Sequence, residues 1–201
     1  MPEQQNSDEH EQVKVALEEY KILWEYYRFI MDLRAKIFDW HLKAVLLPSS
    51  VVGLSIAAIK SEKVNIEISI AMHIAGLLLI AVFLLGLCLF LYYCFETANS
   101  YKYTNSTTAI RKFIREKYSN LDSVLILDCH RLETFPEAVP FFRGLAFGVI
   151  NSVVLSGAIL LLTSLDMLCC ITIIFFVTII FHASLFLLIA KTDKYDVKQK
   201  N

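Results

Sequence analysis

Four stretches of this chain carry no Asp, Glu, Lys or Arg: Ala44–Ile59, Ile68–Phe95, Gly144–Leu165 and Met167–Ala190. This feature constrains the fold most, because a helix needs about 20 apolar residues to cross the hydrocarbon of a bilayer. The last three stretches reach that length. The first has 16 residues and becomes long enough if the span begins near Trp40 and His41. With 56% hydrophobic residues and a mean hydropathy of +0.54, the chain is more apolar than a soluble domain of its size. The sequence therefore predicts an all-α membrane protein with four transmembrane helices arranged as two hairpins. The first 43 residues are polar and charged, so no signal peptide is expected.

The basic residues set the expected topology. Of 19 Lys and Arg, 17 lie in residues 1–43, 96–143 and 191–201, and two lie in the connector 60–67. The positive-inside rule places the first three segments in the cytoplasm and the connectors outside. Six segments follow: a flexible N-terminus (1–12), a cytoplasmic amphipathic helix (13–43), a first transmembrane hairpin (44–95), a cytoplasmic insertion (96–143), a second transmembrane hairpin (144–190) and a cytoplasmic tail (191–201). The bilayer expected is a bacterial inner membrane.

The segment 13–43 reads as one helix continuous with the first span. Lys14, Glu18, Lys21, Glu25, Arg28, Asp32, Lys36, Asp39 and Lys43 alternate in sign at steps of three or four, the spacing of helical neighbours. Apolar and aromatic residues fill the other faces. Tyr20, Trp24, Tyr27 and Met31 form a candidate interaction surface, since no lone helix keeps so much apolar area in water. Its cover is the central segment, a second copy of the chain, or the membrane surface. Trp40 is expected at headgroup level, with Lys43 on the cytoplasmic side.

Pro48, followed by Ser49 and Ser50, predicts a kink in span one, with the serine hydroxyls re-satisfying the backbone. A hinge that passes movement from the cytoplasmic helix into the membrane is the functional reading of Pro48. Span three repeats small residues at Gly144, Gly148, Ser152 and Ser156, and span one at Ser49, Gly53 and Ala57; such rows let helices approach closely, within one subunit or between subunits. Residues 105–120 read as a basic amphipathic helix capped by Ser106 or Thr107, a surface for anionic headgroups or simply a solvated face. Residues 123–128 are short, apolar and β-prone.

Apart from serines and threonines, the polar residues inside the spans are His73, Asn151 and His182. Asn151 lies 15 residues before Asp166 and His182 lies 16 after it, so a tight hairpin sets both at one depth. We expect them to approach closely, either as an interhelical clasp or as a pore-lining or proton-sensitive site. His73 reads as a packed or interfacial histidine. The five cysteines fit no disulfide framework, Cys129-His130 lacks a second ligand pair, and no catalytic or nucleotide-binding motif is present. No metal, cofactor or specific nucleic-acid partner is predicted, and the expected class is not an enzyme.

The long charged-aromatic helix "EYYRFIMDLRAKIFDWHLK" (25–43), feeding a transmembrane hairpin, resembles small prokaryotic membrane effectors of the SLATT type. The resemblance is architectural and covers roughly residues 13–95. It implies a pore-forming role in antiphage systems. The second hairpin and the central insertion add to the two-span pattern, and no functional residues carry over. The function expected is an oligomeric channel or membrane-perturbing effector, a homo-oligomer controlled through its cytoplasmic helices. The alternative is a binding module, such as a membrane-bound immunity protein or an adaptor for a toxin or cytosolic partner.

Overall fold

A computed structural model describes residues 2–61, 68–117, 138–163 and 168–198. These residues are helical throughout: α1 (Pro2–His41), a π-helical turn (Leu42–Leu46), α2 (Leu47–Ser61), α3 (Ile68–Lys117), α4 (Ala138–Thr163) and α5 (Leu168–Lys198). Four helical segments are long and apolar enough to cross a membrane: Glu11–Ala57, Ser69–Lys117, Val139–Thr163 and Cys169–Ile189.

The helices outrun the boundaries drawn from charge alone. The polar residues before Val13 already belong to α1, although they were expected to be flexible. The second span does not stop at Phe95, because α3 continues through the charged residues 96–117 as one helix of 50 residues. No new helix starts near residue 105. The side chains expected to cap it instead bond backward, Ser106 Oγ donating to Lys102 O at 3.0 Å and Thr107 Oγ1 to Thr104 O at 2.9 Å. Hydroxyls inside a helix make this return bond when the backbone N–H groups are already committed. The separate insertion 96–143 is therefore, in its first part, the far end of α3. Likewise α4 begins at Ala138, ahead of residue 144, and α5 enters the expected tail. The apolar run 123–128, Cys129-His130 and the Asp166 turn lie outside the described residues.

The interhelical contacts fix an antiparallel order. Going forward along α1 and the π turn the partners run backward along α3: Tyr20 meets Arg111, Tyr26 meets Tyr103, Arg34 meets Ser100, and Val45 meets Gly86. The order of partners along one helix is reversed on the other, so α1 and α3 pair antiparallel from the polar tip into the apolar region. Gly76 faces Ala158 and Leu162 while Gly86 faces Asn151, which sets α4 antiparallel to α3. Gly144 faces Phe186 and Gly148 faces His182, which sets α5 antiparallel to α4. The central α3 touches every other helix.

Two apolar clusters hold the bundle. One joins Ile37, Phe90, Tyr93, Cys94, Phe147 and Phe186; the other joins Val45, Ala75, Leu79, Val154, Ala158 and Leu161. In the first, Phe147 sits among rings at offset and edge geometries, with centroids 5.3 Å from Phe38, 5.9 Å from Phe90 and 5.1 Å from Tyr93. The outward faces of α2 to α5 are lined by Leu, Ile, Val and Phe, the composition a lipid-facing surface requires.

Candidate functional site

Pro48 cannot offer an N–H to the carbonyl four residues earlier, and its ring crowds that carbonyl. The chain answers with the π-helical turn Leu42–Leu46, a wider turn that often marks functional positions. Ser49 Oγ donates to Val45 O at 2.6 Å and Ser50 Oγ to Leu46 O at 2.7 Å, so both serines engage carbonyls of this weakened stretch. What the structure shows at the site of the expected kink is a π turn that starts immediately after His41.

His41 is fully buried and anchors a polar chain that crosses three helices. His41 Nε2 lies 2.9 Å from Asn151 Oδ1, Asn151 Nδ2 lies 3.1 Å from His182 Nε2, and His182 Nδ1 lies 2.8 Å from Thr178 O. The carbonyl at the end fixes the direction. Thr178 O can only accept, so His182 carries its proton on Nδ1 and accepts at Nε2 from the Asn151 amide. Asn151 Oδ1 then accepts from His41 Nε2–H. His41 Nδ1 is buried without a hydrogen-bond partner. The other polar atoms of this His41–Asn151–His182 series each have a partner with both imidazoles neutral, which suits a site packed between Phe147, 4.1 Å from the His41 ring, and Phe90, 4.7 Å from the His182 ring.

Two glycines make room for this clasp. A Cβ on Gly86 would collide with Asn151 Oδ1 and meet Val45 Cγ2 at 3.1 Å; a Cβ on Gly148 would meet His182 Cβ at 3.0 Å. The chain thus binds α1, at the start of the π turn, to α4 and α5. These directional bonds add to the apolar contacts that Ile37 and Phe38 of α1 already make with Phe147 of α4.

The structure brings Asn151 and His182 together, as their spacing suggested, and adds His41, which the sequence had marked only as the edge of span one. His41 lies seven residues after the buried Arg34 and four after the buried Ile37, which places all three on the α3-facing side of α1. His73 stands apart, exposed, its Nδ1 2.7 Å from Ser69 O.

Small residues divide by role. Gly144, Gly148, Ser152 and Ser156 are all buried inside the subunit, with Gly144 and Gly148 against α5. Gly53 and Ala57 face outward, and nothing lies within 4 Å of a Cβ built on Gly53. Ser49 is half-buried.

The stalk formed by α1 and the far end of α3 covers part of the aromatic surface. Tyr20 receives Arg111, whose guanidinium lies 5.2 Å from the ring centroid and donates from Nε to Tyr20 Oη at 3.0 Å. Tyr27 and Met31 are half-buried, while Trp24 remains 41% exposed and stacks on Tyr27 at 5.6 Å. Arg111 is 25 residues beyond Gly86, about 37 Å along α3, so the basic end stands well away from the apolar belt. Of the alternating stripe along α1, Asp39–Lys43 closes at 2.6 Å. Arg34, off that stripe, is only 3% exposed; it donates to Ser100 Oγ at 3.1 Å and contacts Met31 Sδ, with no carboxylate among the described residues in ion-pair range. Among the described residues no three His, Cys, Asp or Glu cluster as a metal site would need.

These helices define a membrane protein with four candidate spans. No protein-family model, no curated protein and no solved structure matches the chain.

Proposed function

We propose that this chain is a subunit of an oligomeric inner-membrane channel or membrane-perturbing effector, controlled through its stalk. The observation that carries the reading is the clasp. The stalk helix α1 passes into span one without a break, and at the junction His41 is hydrogen-bonded through Asn151 to His182. A partner or signal acting on the stalk would pull on α4 and α5 at the level of the π turn. Pro48 holds that turn in a form that can change pitch. The concentration of Lys and Arg in residues 1–43, 96–143 and 191–201 supports a cytoplasmic stalk by the positive-inside rule. The SLATT resemblance of residues 13–95 supports the same class.

The test is expression of the intact chain with measurement of membrane potential and of oligomer size in nanodiscs. Depolarisation that depends on the stalk, from an assembly of several subunits, is expected. A monomer with no permeability under any activating condition rejects the proposal. The immunity or adaptor reading draws on the same exposed Trp24 face, filled by a foreign protein; a stable one-to-one complex without permeability would favour it.

A further inference from the structure

Seven-residue spacing sorts the exposed side of α1 into four rows. Val15, Ile22 and Phe29 form the first; Glu18, Glu25 and Asp32 the second; Lys14, Lys21 and Arg28 the third; Leu17, Trp24 and Met31 the fourth. At about 100° per residue, successive rows lie roughly 40–60° apart around the helix, in that order. The α3-facing side, with Ile30, Arg34 and Ile37, closes the circle. The two apolar rows are therefore two shoulders on either side of the α1–α3 contact. The acidic row borders the first shoulder and the basic row the second.

Both shoulders are open. Ile22 is 62% exposed and Phe29 60% on the first, and Leu17 is 51% exposed on the second. The charged rows between them are exposed too, with no ion pair to any described residue of the same subunit within 4 Å.

Resting on the oligomeric reading above, we infer that the occupant of each shoulder is another copy of this chain, joined head to tail, with the Val15–Ile22–Phe29 row of one subunit against the Leu17–Trp24–Met31 row of the next. Three arguments favour this occupant. The spans hold every copy upright at one height, and the two rows occupy the same height on the stalk, so they meet in register. The acidic row of one subunit then lies beside the basic row of its neighbour, which pairs the charges left open within the subunit. A two-fold contact of one shoulder with itself would leave the other uncovered, whereas repetition of the head-to-tail contact covers both and closes a ring.

The test is oxidative cross-linking of the full chain in membranes, in a background lacking its five native cysteines. Ile22→Cys combined with Trp24→Cys on one chain should give a ladder of covalent multimers beyond the dimer, because the two positions face different neighbours and cannot bridge within one helix. Each single variant should give no cross-link. Dimers from a single variant, cross-links only to a foreign protein, or no cross-link from the double variant would overturn the inference. On the native-cysteine chain, Lys21→Glu with Arg28→Glu should abolish the oligomer in nanodiscs, and adding Glu18→Lys with Glu25→Lys should restore it. Loss without restoration would also overturn it. Membrane potential read on the same samples separates the two proposals: a ladder without permeability refutes the channel alone, and permeability without a ladder refutes the interface alone.

Discussion

Gly86→Ala places one methyl group where Asn151 Oδ1 now sits. Asn151 cannot simply turn aside, because its oxygen is held by His41 and its nitrogen holds His182. Overpacking of this kind costs about 1–3 kcal/mol. Losing the amide from the clasp forfeits two hydrogen bonds, each worth about 1 kcal/mol net and averaging ~0.6 kcal/mol between membrane helices. We expect a total loss of about 2–5 kcal/mol. The assay is denaturant titration in mixed micelles, followed by helix content. Gly53→Ala is the control, since its methyl meets nothing within 4 Å; it should be neutral or slightly stabilising. In an Asn151→Ala background the Gly86→Ala methyl has space, so its added cost should fall below ~1 kcal/mol. A Gly86→Ala chain as stable as the parent, or an unchanged cost in the Asn151→Ala background, would refute the clasp as drawn.

Asn151→Leu leaves both imidazoles without their shared partner and should lose about 1–3 kcal/mol in the same titration; stability equal to the parent would show the histidines satisfied elsewhere. Arg34→Met should be neutral or stabilising by up to about 4 kcal/mol, as when a buried charge yields to an apolar side chain, whereas a loss above ~2 kcal/mol would reveal an anionic partner for the guanidinium. Tyr20→Phe keeps the ring beneath Arg111 but removes its hydroxyl acceptor, a loss of about 1 kcal/mol; Tyr20→Ala should lose more. Pro48→Ala allows the π turn to relax, and spin labels at Glu25→Cys and Ala57→Cys should report a changed stalk-to-span distance; an unchanged distance would assign the turn to other causes.

The spans were legible because uncharged length is a one-dimensional signal. Gly144–Leu165 and Met167–Ala190 need no partner to be recognised. Helix ends were less so. Glu96 and Lys102 looked like the start of a cytoplasmic insertion separate from the second span, yet a helix that has left the bilayer loses nothing by accepting charge, and α3 continues because α1 offers Tyr20, Tyr26 and Arg34 along its length. The Asn151–His182 approach could be read from nearly equal sequence distances to Asp166, 15 and 16 residues. His41 could not, because its partner lies 110 residues away across an unpredicted helix pairing. Gly86 gave no signal beyond being one of two glycines in a long apolar run; its role follows only from the atom facing it. The small-residue rows looked alike in sequence, and only packing separates the buried Gly144–Ser156 row from the outward Gly53.

The unbroken pairing of α1 with α3 also constrains how such a chain can vary in length. Tyr20 with Arg111 and Val45 with Gly86 are the two ends of one continuous register. Two turns added to α1 alone would slide every contact above the insertion, lifting Arg34 from Ser100 and Tyr26 from Tyr103. The same two turns added to both helices would preserve the contacts and simply raise the tip. Stalk length is therefore a paired trait: variants of this architecture can lengthen or shorten only by matched insertions or deletions, ideally of seven residues, so that the rows around α1 stay in line.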